Sequence, residues 1–195
     1  MLKVCLGSDH RGFQIKARLI QTLNANGFQT IDAGTDSDSP VDYPDFAQKV
    51  ARQVGTGAAD RGILICGTGI GMAVAANKFP GVRAAPCYDE VMVEMSRRHN
   101  DVNVLCLPGD LIGERPVDDL VLMWLRTEFE GGRHSKRIRK ISALETSAVC
   151  GGPPGAGDGS AVVANGGTPS LRQPGDDTVS HENTTDASAT RRGNR

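Results

Sequence analysis

The chain has 195 residues, 38% of them hydrophobic, which is enough for one substantial core without requiring a second domain. Lys and Arg number 22 against 23 Asp and Glu, and the net charge of -1 removes any general drive toward nucleic acid or an anionic membrane, so an anion must be held by a local cluster. The opening MLKVCLGSDH is too short an apolar stretch for a signal peptide and no run approaches the length of a membrane span, so a soluble, cytoplasmic protein is expected.

The first apolar run, residues 2–7, reads as a strand, and Ser8-Asp9-His10-Arg11-Gly12 follows it directly. Asp9 there is either a cap for the next helix or a carboxylate placed at a ligand edge, and His10 either a solvated turn residue or its partner. Phe13, Ala17, Ile20 and Leu19, Leu23 then recur at helical spacing, with Gly27 as a natural stop before a second strand over 28–33. A third strand, 62–66, runs straight into Gly67-Thr68-Gly69-Ile70-Gly71 and a helix-compatible stretch from Met72 to Ala76. Small residues in that loop let successive amides turn toward an anion, and the field of the following helix favours a thiolate at Cys66. The alternatives are an inert buried cysteine and a dinucleotide fingerprint. Against the latter, the glycine spacing is not GxGxxG and the loop does not open the first strand-helix-strand unit, although Asp89 lies 20 residues beyond Gly69.

The fourth strand is placed at 82–87 and the fifth at 102–107, with the polar segment Ser96-Arg97-Arg98-His99-Asn100-Asp101 between them read as a turn. Val117, Leu120, Val121, Trp124 and Leu125 draw the clearest helical stripe in the chain. A final basic helix is expected over about 133–144, with Arg133, Arg137 and Lys140 on one face, where two arginines four residues apart can fork onto a phosphate or simply face water. Residues 146–195 hold no aromatic residue and almost no Leu or Ile, too little apolar surface to offset ordering entropy, and read as a disordered tail after a single domain over 1–145.

Strands alternating with helices predict a doubly wound, Rossmann-like α/β domain, a five-stranded parallel sheet with helices on both faces whose ligands sit beyond the carboxyl ends of the strands. Five cysteines, Cys5, Cys66, Cys87, Cys106 and Cys150, form no CxxC pair and suit reduced thiols rather than a disulfide frame or a zinc site. The residues alone leave open a cysteine hydrolase or amidotransferase that pairs Cys66 with His99, and a non-catalytic sugar-phosphate or nucleotide-binding module.

Across residues 1 to about 145 the strings GSDHRGF, DYPDFA, GILICGTGIGMAVAANKFPGVRAA, SRRHNDVNVL and EFEGGRHSKRI resemble one family, the type B ribose-5-phosphate isomerases and their galactose-6-phosphate isomerase relatives. The resemblance implies an aldose-ketose isomerase of the non-oxidative pentose phosphate branch that takes a phosphorylated sugar, needs no cofactor or metal, and works as a homodimer with sites built across the interface. It implies that Cys66 is the base that moves a proton between C2 and C1, with Thr68 and the amides of Gly67, Gly69, Ile70 and Gly71 around the enediolate. By the same resemblance, His99 and Asp9 are expected to take part in opening the sugar ring, His10, Arg133 and Arg137 to bind phosphate, and Tyr43 and Asn100 to meet sugar hydroxyls. One departure stands out: Pro108-Gly109-Asp110 occupies the place where many members carry an arginine, and an acid there is expected to repel a phosphate and is able instead to accept a sugar hydroxyl.

Overall fold

The computed structural model describes residues 1–110 and 117–150. Strands β1 (Lys3–Ser8), β2 (Gln29–Asp32), β3 (Arg61–Cys66), β4 (Ala84–Pro86) and β5 (Val104–Pro108) pair in parallel in the order β2-β1-β3-β5-β4. Between and after them run helices α1 (Phe13–Ala25), α2 (Tyr43–Gly55), α3 (Ile70–Ala76), α4 (Glu90–Asn100), α5 (Val117–Arg126) and α6 (Arg133–Cys150).

The alternation of side chains along each strand explains the two layers of core. Val4 and Leu6, Ile63 and Ile65, and Leu105 and Leu107 face one way, onto Leu19 and Leu23 of α1, Val93 of α4 and Val117, Val121 and Trp124 of α5. Cys5, Leu64, Cys66, Val104 and Cys106 face the other way, onto Phe46, Val50 and Val54 of α2 and Met72, Ala73 and Ala76 of α3. Strands buried on both faces have no polar alternation to show, which is why they read as continuous apolar runs. Each fully buried Leu or Ile here is stabilised by roughly 2 kcal/mol from leaving water.

The expected doubly wound sheet is present, with each strand within two residues of its expected bounds. Three local readings change. Helix α2 escaped the reading of elements although Pro44 sits in its first turn and Phe46, Ala47, Val50, Ala51 and Val54 form its buried stripe. The segment read as a turn before β5 is the last part of α4: Asp101 closes that helix in the left-handed region at φ 45°. Its carboxylate receives Arg97 at 2.8 Å and Arg83 at 2.7 Å, while Arg97 also donates to the Val102 carbonyl at 2.6 Å. This pair of ionic contacts binds the end of α4 to the start of β4, so the polar run is a helix terminus rather than a free turn. Third, the basic helix continues beyond 144 to Cys150. The tail expectation for 151–195 lies outside the described residues.

Candidate active site

The strand order reverses at the β1/β3 pair, because the chain leaves β1 for α1 and β2 on one side and leaves β3 for α3 and β4 on the other. At such a switch point the carboxyl ends of the strands open a crevice. Asp9, at the end of β1, is 5% exposed, and its Oδ1 accepts the amides of Arg11 at 2.9 Å and Gly12 at 3.2 Å. The carboxylate thus does cap the turn that enters α1, and only Oδ1 is spent on it. His10 Nδ1 accepts the Val41 amide at 3.3 Å, which leaves the ring proton on Nε2 as a donor.

Cys66 ends β3 and is 5% exposed, with Sγ receiving the Gly69 amide at 3.2 Å. The other described cysteines sit differently. Burial, with a smaller push from Asp32, raises the Cys5 thiol to about 12; burial raises Cys87 to about 11 against a hydrogen bond from Ser96; and burial lifts Cys106 well above the usual range. Those three are held as neutral thiols in the core.

Gly69 makes the sulfur contact possible. It lies at φ 76°, where an L side chain is strained, and a Cβ there would stand 3.1 Å from the Leu107 carbonyl carbon. Gly71 plays a different part: a Cβ would fall 2.7 Å from Cζ of Tyr43, so the bare backbone lets the Tyr43 ring, 39% exposed, close on the first turn of α3. Thr68 Oγ1 receives the Ile70 amide at 3.4 Å. Asp9, His10, Tyr43, Cys66 and residues 67–71 therefore gather at the carboxyl edge of the sheet.

His99, Asn100, Arg133 and Arg137 do not join them. Helix α4 starts past the carboxyl end of β4 and runs back to the amino end of β5, which carries its last turn to the opposite edge, about 16 Å away along a five-residue strand. Glu130 donates its amide to the Arg98 carbonyl at 3.1 Å, and this draws the start of α6 against the end of α4. Asn100 lines an open groove there with Arg83, Val102 and Ile141.

Two residues at this second cluster escaped the sequence reading. His134 is 5% exposed and its ring stacks on His99, centroids 4.3 Å apart and planes within 4°. Oε2 of Glu130 lies 3.7 Å from His99 Nε2 and 3.8 Å from His134 Nε2, while its other oxygen takes Arg98 Nε at 2.6 Å. Glu130 lies just before α6, four residues ahead of His134, and no periodic signal in the sequence marks the pair. Among the described residues these three are a group able to approach one metal ion. Imidazole lone pairs lie in the ring plane, however, and two parallel rings this far apart cannot both aim at one ion without rotating. Neither contact to Glu130 is as short as a hydrogen bond, and His134 Nε2 instead accepts Arg133 Nε at 3.3 Å.

Burial first, then the positive charge of His99, Arg133 and Arg137, holds His134 below the ordinary imidazole range, against the opposing pull of Glu130. A depressed folded value means that the contribution to stability is whole above about pH 6.5 and declines as pH falls toward the folded value, since the unfolded chain takes up the proton first. Thermal melts at pH 7.5 and 5.5 should show a smaller acid-induced drop in Tm for His134→Gln than for the parent. An equal drop in both would mean that His134 carries none of the linkage.

The fold is that of an isomerase of phosphorylated sugars. Residues 4–141 match the family model described as Ribose/Galactose Isomerase, and the chain belongs to that family. It is 43% identical over 145 residues to ribose-5-phosphate isomerase B of Escherichia coli (strain K12), an alignment covering 74% of this chain and 97% of that one. The Clostridium thermocellum ribose-5-phosphate isomerase B structure superposes with a TM-score of 0.73 at 47% identity, covering 75% of this chain and 99% of that one. The Mycoplasma genitalium enzyme, solved with bound ribulose-5-phosphate, gives 0.71 at 39%, with 74% and 97% covered. Among the described residues no helix is long and apolar enough to cross a membrane.

Proposed function

We propose that this chain interconverts D-ribose 5-phosphate and D-ribulose 5-phosphate through a cis-enediolate, with Cys66 as the carbon base. The observation that carries this reading is the position of Cys66 at the switch point, its sulfur held by the Gly69 amide while the other described cysteines are neutral core thiols. Sulfur takes the proton from C2 of the open-chain aldose and returns it at C1. Amides of Gly67 to Gly71 and the Thr68 hydroxyl meet the negative charge as it grows on the sugar oxygens, the point at which prearranged donors lower a barrier most.

The two edges of the sheet become one site in a homodimer. The partner's His99, Asn100, Arg133 and Arg137 would then face Cys66, the imidazole opening the furanose ring together with Asp9 and the arginines clamping phosphate with His10. Tyr43, resting on Gly71, meets a sugar hydroxyl. A cytoplasmic setting agrees with four free thiols among the described residues. The residues after Cys150 are taken as dispensable for this chemistry.

A second substrate, galactose 6-phosphate, is kept because the matched family spans ribose and galactose isomerases. A turnover panel of phosphorylated aldoses and ketoses tests both. Ribose 5-phosphate should give the highest kcat/KM, and a higher value for any hexose phosphate would overturn the pentose assignment.

The basic helix offers a sharper check on phosphate recognition. Arg137→Ala should raise KM for ribose 5-phosphate about ten- to a hundredfold with little change in melting temperature, because one forked, charge-assisted contact is lost from an exposed position. Arg139→Ala, also exposed but about 200° around the helix, should change KM less than threefold. Equal effects would make α6 merely a solvated face.

A further inference from the structure

Asp110 is not the isolated acid that its sequence context suggested. Arg11 Nε donates to Asp110 Oδ2 at 2.5 Å and Arg11 Nη2 reaches the same oxygen at 2.5 Å. The pair lies on the glycine loop: a Cβ at Gly67 would stand 2.8 Å from Asp110 Oδ2 and 3.2 Å from Arg11 Nε. The backbone is stitched at the same place. The Asp110 amide donates to the Gly67 carbonyl at 3.1 Å, the Gly109 amide to the Cys66 carbonyl at 2.6 Å, and the Arg11 amide to Asp9 Oδ1 at 2.9 Å. Arg11 and Asp110 thus tie together the carboxyl ends of β1, β3 and β5, beside the candidate base.

A stabilising role does not account for the pair, since its side chains are 54% and 36% exposed and ion pairs in water contribute little to folding. What the geometry does achieve is orientation. A guanidinium carries five donors in a plane, and both contacts here go to one carboxylate oxygen, so donors remain for a second anion while Asp110 keeps the plane from swinging away. With Arg11 beside it, Asp110 no longer presents the uncompensated charge that would repel a phosphate. His10, next in the chain, has its Nε2 proton free to donate in the same direction of chemistry.

We infer that Arg11, pinned by Asp110, is a substrate-binding residue of this chain, forking onto the phosphoryl group of the sugar phosphate at the carboxyl edge of the sheet. The inference rests on the isomerase reading above, and its test has an arm that does not. In the kinetic arm, Arg11→Ala in the full-length protein should raise KM for ribose 5-phosphate at least tenfold while kcat changes less than threefold, and Arg11→Lys should recover part of the loss. In the binding arm, inorganic phosphate should slow alkylation of Cys66 by iodoacetamide, read by mass spectrometry of the Cys66 peptide. Arg11→Ala should require at least tenfold more phosphate for the same protection. Asp110→Asn, which keeps the shape and loosens the fork, should fall between Arg11→Ala and the parent in both arms. If the parent turned over a different sugar phosphate yet phosphate protection still depended on Arg11, the pentose assignment would fail and this inference would stand. Unchanged protection in Arg11→Ala, whatever happened to KM, would overturn it, because the guanidinium would then touch the sugar or nothing.

Discussion

Cys66→Ala is expected to lower kcat for aldose-ketose isomerisation by about 10⁴-fold, the upper end of what a positioned base contributes, while leaving substrate binding nearly intact. Binding survives because phosphate recognition is assigned to His10, Arg11, Arg133 and Arg137 and not to the sulfur. Cys66→Ser should be almost as impaired, since a hydroxyl without a partner base is a far poorer carbon base than the cysteine sulfur it replaces. In deuterated water the product of the parent enzyme should acquire deuterium at the migrating carbon, to a degree set by how fast the proton on sulfur exchanges. Single-turnover kinetics and mass spectrometry of the product measure both quantities. Full activity with unchanged labelling in Cys66→Ala would falsify the assignment and turn attention to Asp9, whose Oδ2 is not used in the turn it caps.

The second large effect concerns assembly. One chain holds Cys66 and His99 at opposite edges of its sheet, so under the proposed homodimer each site takes one of the two from each protomer. Cys66→Ala and His99→Ala proteins should each be nearly inactive alone. Mixed in equal amounts and allowed to exchange subunits, half of the dimers become hybrids, and each hybrid contains one site with both groups intact and one with neither. Activity should therefore return to about one quarter of the parent value, a restoration of several hundredfold or more over either variant. Native mass spectrometry reports the exchange and a coupled assay the recovery. Complete exchange without recovery would place both groups on one chain and would contradict the path of α4.

Much of this protein was legible before any coordinates. Strands β1, β3 and β5 are short, largely apolar runs, and they stand out because burial on both faces leaves little room for polar residues within them, whereas edge strand β2 carries Gln29, Thr30 and Asp32. The loop from Gly67 to Gly71 was legible for a related reason: a turn at φ 76° against the Leu107 carbonyl tolerates glycine alone, so the conformation writes itself into the residue type. The order of the pieces, a carboxylate and an imidazole after the first strand, a thiol and a glycine loop after the third, followed from the chain itself and pointed to the edge of a parallel sheet.

Other features depend on contacts that local pattern does not carry. Polar residues 96–101 look like a turn by composition, and they finish a helix because Arg83 and Arg97 converge on Asp101 from two elements. Arg11 and Asp110 are 99 positions apart, and their pairing compensates the charge of the acid at that place. His99 and His134 come into register only when α6 is drawn onto α4. Sequence by itself determined the layered fold, the glycine loop and the chemistry-bearing side chains, because periodicity and backbone permissiveness act over a few neighbouring residues. Tertiary structure alone decided which of those side chains share an edge and which charge is compensated, because those are distances between residues far apart in the chain, set by how helices pack across the sheet.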